Sequence, residues 1–429
     1  MVVHTMRGLE GIKVIEFAGY VAGPVSPRIL GEMGATVIKV EPLTGDEQRT
    51  QSTGWGMPYK TEFDDPCYDA SSTNKDWISV NLKTEEGREF AYRIIAECDV
   101  MLNNYRDKAL QKLGLDYETI HARFPHVVWA QMRGYGEYGP EKDSRGYDAT
   151  AYASRGGVLM SMPQKGEQFE PANFPVAFGD WNAGMTITAG ILAALVRRIK
   201  TGEGDKVVSN LYHCACYAMT GALVARQQGA EYPKSRKEAP CPTNNTYKTR
   251  DGVWFLMCQG HYNKFFRDIF GALGLESLFG DPRYEILENV AARGGIPEVI
   301  GLMAEAIAQK NFDHWESVFR EKDVPFQRLF TVDDILEDDE AFANDILRPT
   351  HYDDLGDYLL PTTPIRLGSL GDPAIYRAKP IGTDTRRIMS EHGYSSEIIE
   401  SYVERGIVKC YDGELPPSVC NPSRGPRPV

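Results

Sequence analysis

Short apolar runs alternate with helical patterns through the first 130 residues, and this constrains the fold more than any other feature of the chain. IKVIEF (Ile12–Phe17) has the character of a buried strand. A turn containing Gly19 and Gly23 follows, Pro27–Met33 has a helical pattern, and TVIKVE (Thr36–Glu41) is the next strand. The order then repeats: WISVNL (Trp77–Leu82) as strand, TEEGREFAYRIIAE as helix, DVMLNN (Asp99–Asn104) as strand and HVVWAQM (His126–Met132) as strand. Alternation of this kind specifies the α/β class, an open and mainly parallel sheet with helices on both faces. Its ligand crevice lies beyond the carboxyl ends of the strands.

The remainder of the 429 residues leaves room for a second, smaller domain. Asn182–Lys200 reads as a buried helix closed by Gly202, with the strand KVVSNL and a second apolar helix after it. From Gln227 to Thr243 the chain is polar and proline-rich, as in a linker. TYKTR and VWFLMC flank Asp251-Gly252, which supplies the turn of a hairpin. Helical patterns run to about Phe319, and VPFQRLF (Val324–Phe330) resumes a strand. The acidic run Ile335–Asp345 reads as a solvated helix face, and two short helical patterns lie near Asp384–His392 and Ser396–Gly406. The expected division is a large α/β domain over 1–210, a helix and linker over 211–242, a small α+β domain over 243–330 and a return segment over 331–429 that completes the large domain.

Charge narrows the class of partner. Acidic residues number 60 against 47 basic ones, a formal net charge of −13 that repels phosphate backbones and argues against nucleic-acid binding. A local basic pocket for one anionic ligand remains compatible with it. The apolar stretch Met185–Val196 falls well short of the roughly 20 residues that span a bilayer, so no membrane association is expected. The amino-terminal segment lacks the basic-then-apolar layout of a secretory signal. Eight cysteines without framework spacing suit reduced thiols. Together these point to the cytoplasm.

Three segments carry chemistry. The turn after the first strand reads G-Y-V-A-G-P, so Gly19 and Gly23 are four apart and the G-x-G-x-x-G spacing of a dinucleotide site is missing. A turn of purely structural glycines and a different nucleotide-bearing ligand held by turn backbone both fit. In FGDWNAGM, Asp180 stands immediately before the long helix. It is either an N-cap or a partly dry carboxylate, steadied by the helix N-terminus, that serves as a nucleophile toward an activated acyl group. In SRGYDATAYASRGG, Asp148 opens a helical pattern beside Arg145, as a second cap or as the partner of a carboxylate pair. His213-Cys214-Ala215-Cys216 lacks zinc spacing, and no G-x-S-x-G elbow is present.

With these segments in view the chain resembles the class III CoA-transferases, the formyl-CoA and carnitine type. The match runs through GLEGIKVIEFAGYVAGP, GEMGATVIKVEP, NKDWISVNLKTEEGR, CDVMLNNY, GYGEYGP, FGDWNAGM and TGEGDKV. RGYDATAYASRGGV, DVPFQ and LEDDEAFANDIL look closest to the branch acting on 2-hydroxy acids and 2-enoic acids in amino-acid fermentation. The resemblance implies that Asp180 is the nucleophile and that Asp148 stands in the place of an assisting glutamate. It implies that backbone at Val21 and Ala22 contacts CoA, Val21 replacing a glutamine that assists catalysis in some members. Lys83, Asn104, Tyr105, Lys112 and Arg145 match positions lining the CoA nucleotide site, Lys112 standing in for an arginine. Tyr152 and His261 are candidates for the acyl pocket, and the glycine-rich shielding loop of some members is not reproduced near Cys258-Gln259-Gly260-His261. The family chemistry is exchange of CoA between an acyl-CoA and a small carboxylic acid through a mixed anhydride. Amides at the start of the helix after Asp180 would act as oxyanion donors. No metal or permanently bound cofactor is implied, and coenzyme A is a substrate. A racemase of the same fold pairs the aspartate with a histidine where this chain has Tyr147. The resemblance further implies a homodimer of two interlocked chains.

Overall fold

The computed structural model describes residues 8–423 except 52–55, 57–59, 62, 164, 166–169 and 369–373. Seven strands form the main sheet: β1 (Lys13–Phe17), β2 (Thr36–Glu41), β3 (Asp76–Val80), β4 (Val100–Asn103), β5 (Val128–Arg133), β6 (Lys206–Asn210) and, arriving last, β12 (Val408–Lys409). Their spatial order is β12-β3-β2-β1-β4-β5-β6. All neighbours are parallel except β12, which pairs antiparallel with β3. The chain winds outward from β1 through β2 to β3 and then returns to the other side of β1 for β4. The switch point, where an open parallel sheet leaves a crevice, therefore lies between β1 and β4.

Side-chain alternation explains the helical layer on each face. Ile15 and Phe17 of β1 share a core with Phe90, Ile94 and Ile95 of the helix Glu85–Ile95. Val14 points the other way, into a core with Ile187, Ile191 and Leu195 of the long helix Phe178–Thr201. The long helix packs on the opening helix Ala22–Glu32, with Thr188 Oγ1 donating to Ser26 Oγ at 2.8 Å.

The opening helix begins at Ala22, earlier than Pro27 as read from sequence. Pro24 and Pro27 suggest a break, but Pro24 sits in the first turn, where no intrahelical N–H bond is made, so its missing donor costs nothing there. The acidic run also differs from its expected single solvated face. It forms two short helices, Val332–Leu336 and Asp339–Ala343, and buries Ala341, Phe342 and Asp345, the last paired with Arg348 Nε at 3.0 Å.

The chain divides into two compact units. The first comprises Met1–Val158, Phe174–Leu223 and Asp338–Val429, and holds the seven-stranded sheet and an antiparallel hairpin of β10 (Leu347–Tyr352) and β11 (Gly356–Pro361). The second comprises Leu159–Asn173 and Val224–Glu337. Within it β7 (Asn244–Lys248), β8 (Trp254–Cys258) and β9 (Phe326–Arg328) form a three-stranded sheet. Its core is aromatic, with Phe255, Phe266, Phe270, Trp315 and Phe319. Gly252 supplies the positive φ, 87°, in the β7–β8 connection.

Candidate active site

Most of the sequence-derived site residues sit on connections that leave the carboxyl ends of the parallel strands of the first unit. Val21 and Ala22 follow β1, Lys83 follows β3, Asn104, Tyr105 and Lys112 follow β4, and Arg145, Asp148 and Tyr152 follow β5. This is where the topology opens the crevice.

At the switch point the β1 turn is clamped by Asn104. Its Nδ2 donates to Gly19 O at 2.8 Å while its Oδ1 accepts the Gly19 N–H at 3.2 Å. Tyr20 then adopts left-handed backbone, φ 62°, a conformation that costs a residue with a side chain about 1–3 kcal/mol. Asp46 Oδ1 holds it there by accepting the Tyr20 N–H at 3.0 Å. Val21 and Ala22 are buried, and Val21 shares an apolar cluster with Val25, Ala177 and Trp181. That cluster places the turn against the start of the long helix, where Asp180 lies.

The long helix begins at Phe178, not after Asp180. Ala177 is the cap residue, in left-handed backbone with φ 60°, and offers no side-chain bond to the helix. Asp180 is therefore the third helical residue and cannot be the N-cap expected from sequence. Asp148 meets the helix end instead: its Oδ1 accepts the Gly179 N–H at 2.9 Å. Asp148 belongs to a short π-helix, Asp148–Ser154, whose Tyr152 ring packs directly on Gly179. A Cβ at position 179 would lie 2.2 Å from Tyr152 Cγ and 2.4 Å from Asp148 Oδ1, so only glycine admits this approach. Tyr152, expected in an acyl pocket, is 2% exposed and serves as a wall behind Gly179.

Two carboxyl groups thus share one helix terminus. Burial pushes Asp180 up to about 8, and the negative charge of Asp148 adds to the effect. Burial also raises Asp148, opposed by the Gly179 and Asp180 amides. Both causes work against the ionised form of Asp180 that the sequence led us to expect. Among the described residues no cation pairs with Asp180. The expected oxyanion donors beyond Asp180 are also corrected: the Trp181 N–H already donates to Ala177 O at 3.2 Å.

Lys83, Lys112 and Arg145 are exposed, and none forms an ion pair with an acid of the described chain. Tyr105 is partly buried against the core of the Glu85–Ile95 face, its phenol pushed up to about 12 by burial. His261 lies in the second unit, exposed at the start of the helix Tyr262–Ala272, its N–H donating to Gln259 Oε1 at 3.1 Å.

Sequence reasoning missed a buried charge network beneath the β1 turn. Glu16 of β1 and Lys39 of β2 are register partners and bond at 2.7 Å. Lys39 also lies 3.0 Å from Asp46 Oδ2, and Lys75 lies 2.8 Å from Glu16 Oε2. The signal was available, since one charge interrupts each of the otherwise apolar runs VIEF and VIKV. Burial pushes Lys75 down to about 8 against the pull of Glu16, while the surrounding acids hold Lys39 high. Removing one member of such a set costs about 3–5 kcal/mol, because its partner is left charged in the interior.

The fold agrees with the comparisons. The model for CoA-transferase family III matches residues 9–385, and the chain belongs to that family. It is thus an enzyme of the CoA-transferase class. It is 34% identical over 401 residues to (R)-2-hydroxy-4-methylpentanoate CoA-transferase of Clostridioides difficile, covering 94% of this chain and 99% of the relative. It is 38% identical over 394 residues to cinnamoyl-CoA:phenyllactate CoA-transferase of Clostridium sporogenes, covering 91% and 95%. A solved structure of a CAIB/BAIF family protein from Brucella suis superimposes with a TM-score of 0.73 at 28% identity, covering 90% of this chain and all of the other (100%).

Proposed function

We propose that the enzyme moves CoA between a 2-enoyl-CoA and a 2-hydroxy carboxylic acid through a covalent intermediate on Asp180. The observation that carries this reading is the Asp180–Asp148 pair: a half-buried carboxyl with no counter-cation among the described residues, beside the turn that follows β1. The two relatives named for 2-hydroxy acids support the substrate class.

Ionised Asp180 attacks the thioester carbonyl, the C–S bond breaks, and CoA leaves as thiolate from a mixed anhydride. The thiolate attacks the aspartyl carbonyl, giving an aspartyl thioester and releasing the donor acid. The acceptor carboxylate then attacks that thioester, thiolate leaves again, and its attack on the acceptor carbonyl regenerates Asp180. One thioester enters and one leaves, so no ATP is consumed, and no step calls for a metal or redox group. Asp148 fixes the helix terminus through Gly179, and its charge adds to the burial that raises the proton affinity of Asp180. Val21 and Ala22 offer backbone to CoA, Asn104 and Tyr105 line its nucleotide, and Lys83, Lys112 and Arg145 supply positive charge on a chain of net charge −13. Tyr152 backs the reacting carboxyls. The working form is a cytoplasmic homodimer of interlocked chains. No helix among the described residues is long and apolar enough to cross a membrane.

Mass spectrometry of a matrix of acids and acyl-CoA donors tests the reading. Phenyllactate and 2-hydroxyisocaproate should outpace 3-phenylpropionate by up to about 10⁴-fold, since a site built for the hydroxyl is left unpaired without it. Differences in side-chain size should matter far less, about 10 to 200-fold per methylene. Oxalate as the best acceptor would contradict the substrate class.

A further inference from the structure

The buried charges beneath the β1 turn touch its backbone as well as one another. Lys39 Nζ donates to Ala18 O at 2.7 Å. Lys75 Nζ donates to Pro24 O at 2.9 Å and to Ser71 O at 3.1 Å. Asp46 Oδ1 accepts from both Tyr20 and Gln48, each at 3.0 Å. With Asn104 on Gly19, side chains hold both ends of the turn and the strained residue within it. Glu16, Lys39, Asp46 and Lys75 are all buried.

An apolar core would knit β1 to β2 and β3 without the desolvation penalty these four groups carry. What apolar side chains cannot do is bond to the turn's carbonyls and amides. The groups left over are informative. Among the described residues the Val21, Ala22 and Gly23 N–H groups donate to no protein acceptor. They are first-turn donors of the opening helix, and Pro24 has none. One half of the turn is therefore held from below by charged side chains, and the other half presents three amides.

We propose that Glu16, Lys39, Asp46 and Lys75 are positioning residues that fix the Ala18–Pro24 backbone so that the amides of Val21, Ala22 and Gly23 are set for acyl-CoA. This rests on the reading that CoA binds at the turn. The residues act through the turn and touch neither substrate. Loosening the turn weakens acyl-CoA recognition and leaves recognition of the free acid unchanged.

Asp46→Ala removes the acceptor for the Tyr20 N–H, whereas Asp46→Asn keeps an amide oxygen in its place. The alanine variant should raise KM for acyl-CoA, and Kd for CoA by calorimetry, about tenfold, the scale of one lost hydrogen bond. KM for the free acid should stay within about twofold, and asparagine should restore most of the loss. A second, charge-balanced variant, Glu16→Gln with Lys75→Met, releases Pro24 O and should show the same selectivity if Asp46→Ala does not fold. Equal effects on both substrates, or a fall in Tm alone, would overturn the positioning role. A wild-type enzyme that neither binds CoA nor transfers it would overturn the underlying reading instead.

Discussion

Asp180 carries a conflict that sets its behaviour. In the proposed mechanism it must be ionised to attack a thioester, yet burial and Asp148 push it up to about 8. In the unliganded enzyme at pH 7 roughly a tenth of it is ionised on that value. The activity with acyl-CoA should therefore rise with pH along a limb centred near 8, the two carboxyls titrating as a coupled pair. Asp148→Asn removes the neighbouring charge and should shift the limb to lower pH. A pH profile of kcat/KM for acyl-CoA, wild type against Asp148→Asn, reads this directly, and a limb that stays in place would contradict the coupling. The stability effect has the opposite sense. A folded pKa raised above the unfolded value stabilises fully below about 4, and this contribution is lost as pH rises through 8. The gain in reactive form thus accompanies a loss of stability. Asp180 was legible as a candidate nucleophile in FGDWNAGM. That Asp148 rather than Asp180 meets the helix end was not, because Asp148 lies 31 positions before Gly179, whose N–H it accepts, and no local pattern joins the two.

At the level of elements, the start of the long helix and the π-helix Asp148–Ser154 meet over a glycine that cannot be replaced without displacement. Gly179→Ala would drive its Cβ into the Tyr152 ring and Asp148 Oδ1. Because both neighbours are packed, the expected cost is about 1–3 kcal/mol by denaturant melts, with a larger relative fall in kcat as Asp148 leaves the helix end. Unchanged stability and turnover would show that the two elements do not meet as described. The strands were readable because buried parallel strands are short continuous apolar runs, and β2 falls on Thr36–Glu41 as read from sequence. The opening helix was misplaced because its prolines resemble breakers. The β10–β11 hairpin escaped because its strand LRPTHY breaks the apolar pattern with polar and charged residues, of which Arg348 and Thr350 are buried.

Over the whole molecule, the strand order with its switch between β1 and β4 brings the connections that carry the proposed CoA-lining residues to one end of the sheet. The alternation of strand and helix made that architecture legible, while the paired charges under the turn depend on cross-strand register, which no single run displays. The surface adds a further requirement. Ile199 is 75% and Tyr217 80% exposed, Val196 is exposed on the same long helix, and the helix Thr220–Gln227 has no buried residue. Apolar side chains left open in this way suit coverage by a second copy. Light scattering at micromolar concentration should give twice the 48.0 kDa chain mass. A stable monomer with full activity would contradict the dimer.

The central claim is the covalent role of Asp180, and trapping tests it most directly. Wild-type enzyme incubated with acyl-CoA and then with borohydride or hydroxylamine should carry a single modification, mapped by peptide mass spectrometry to Asp180. Asp180→Asn should carry none and should lose turnover while still binding CoA. A label on another residue, or ordinary turnover in the asparagine variant, would contradict the account.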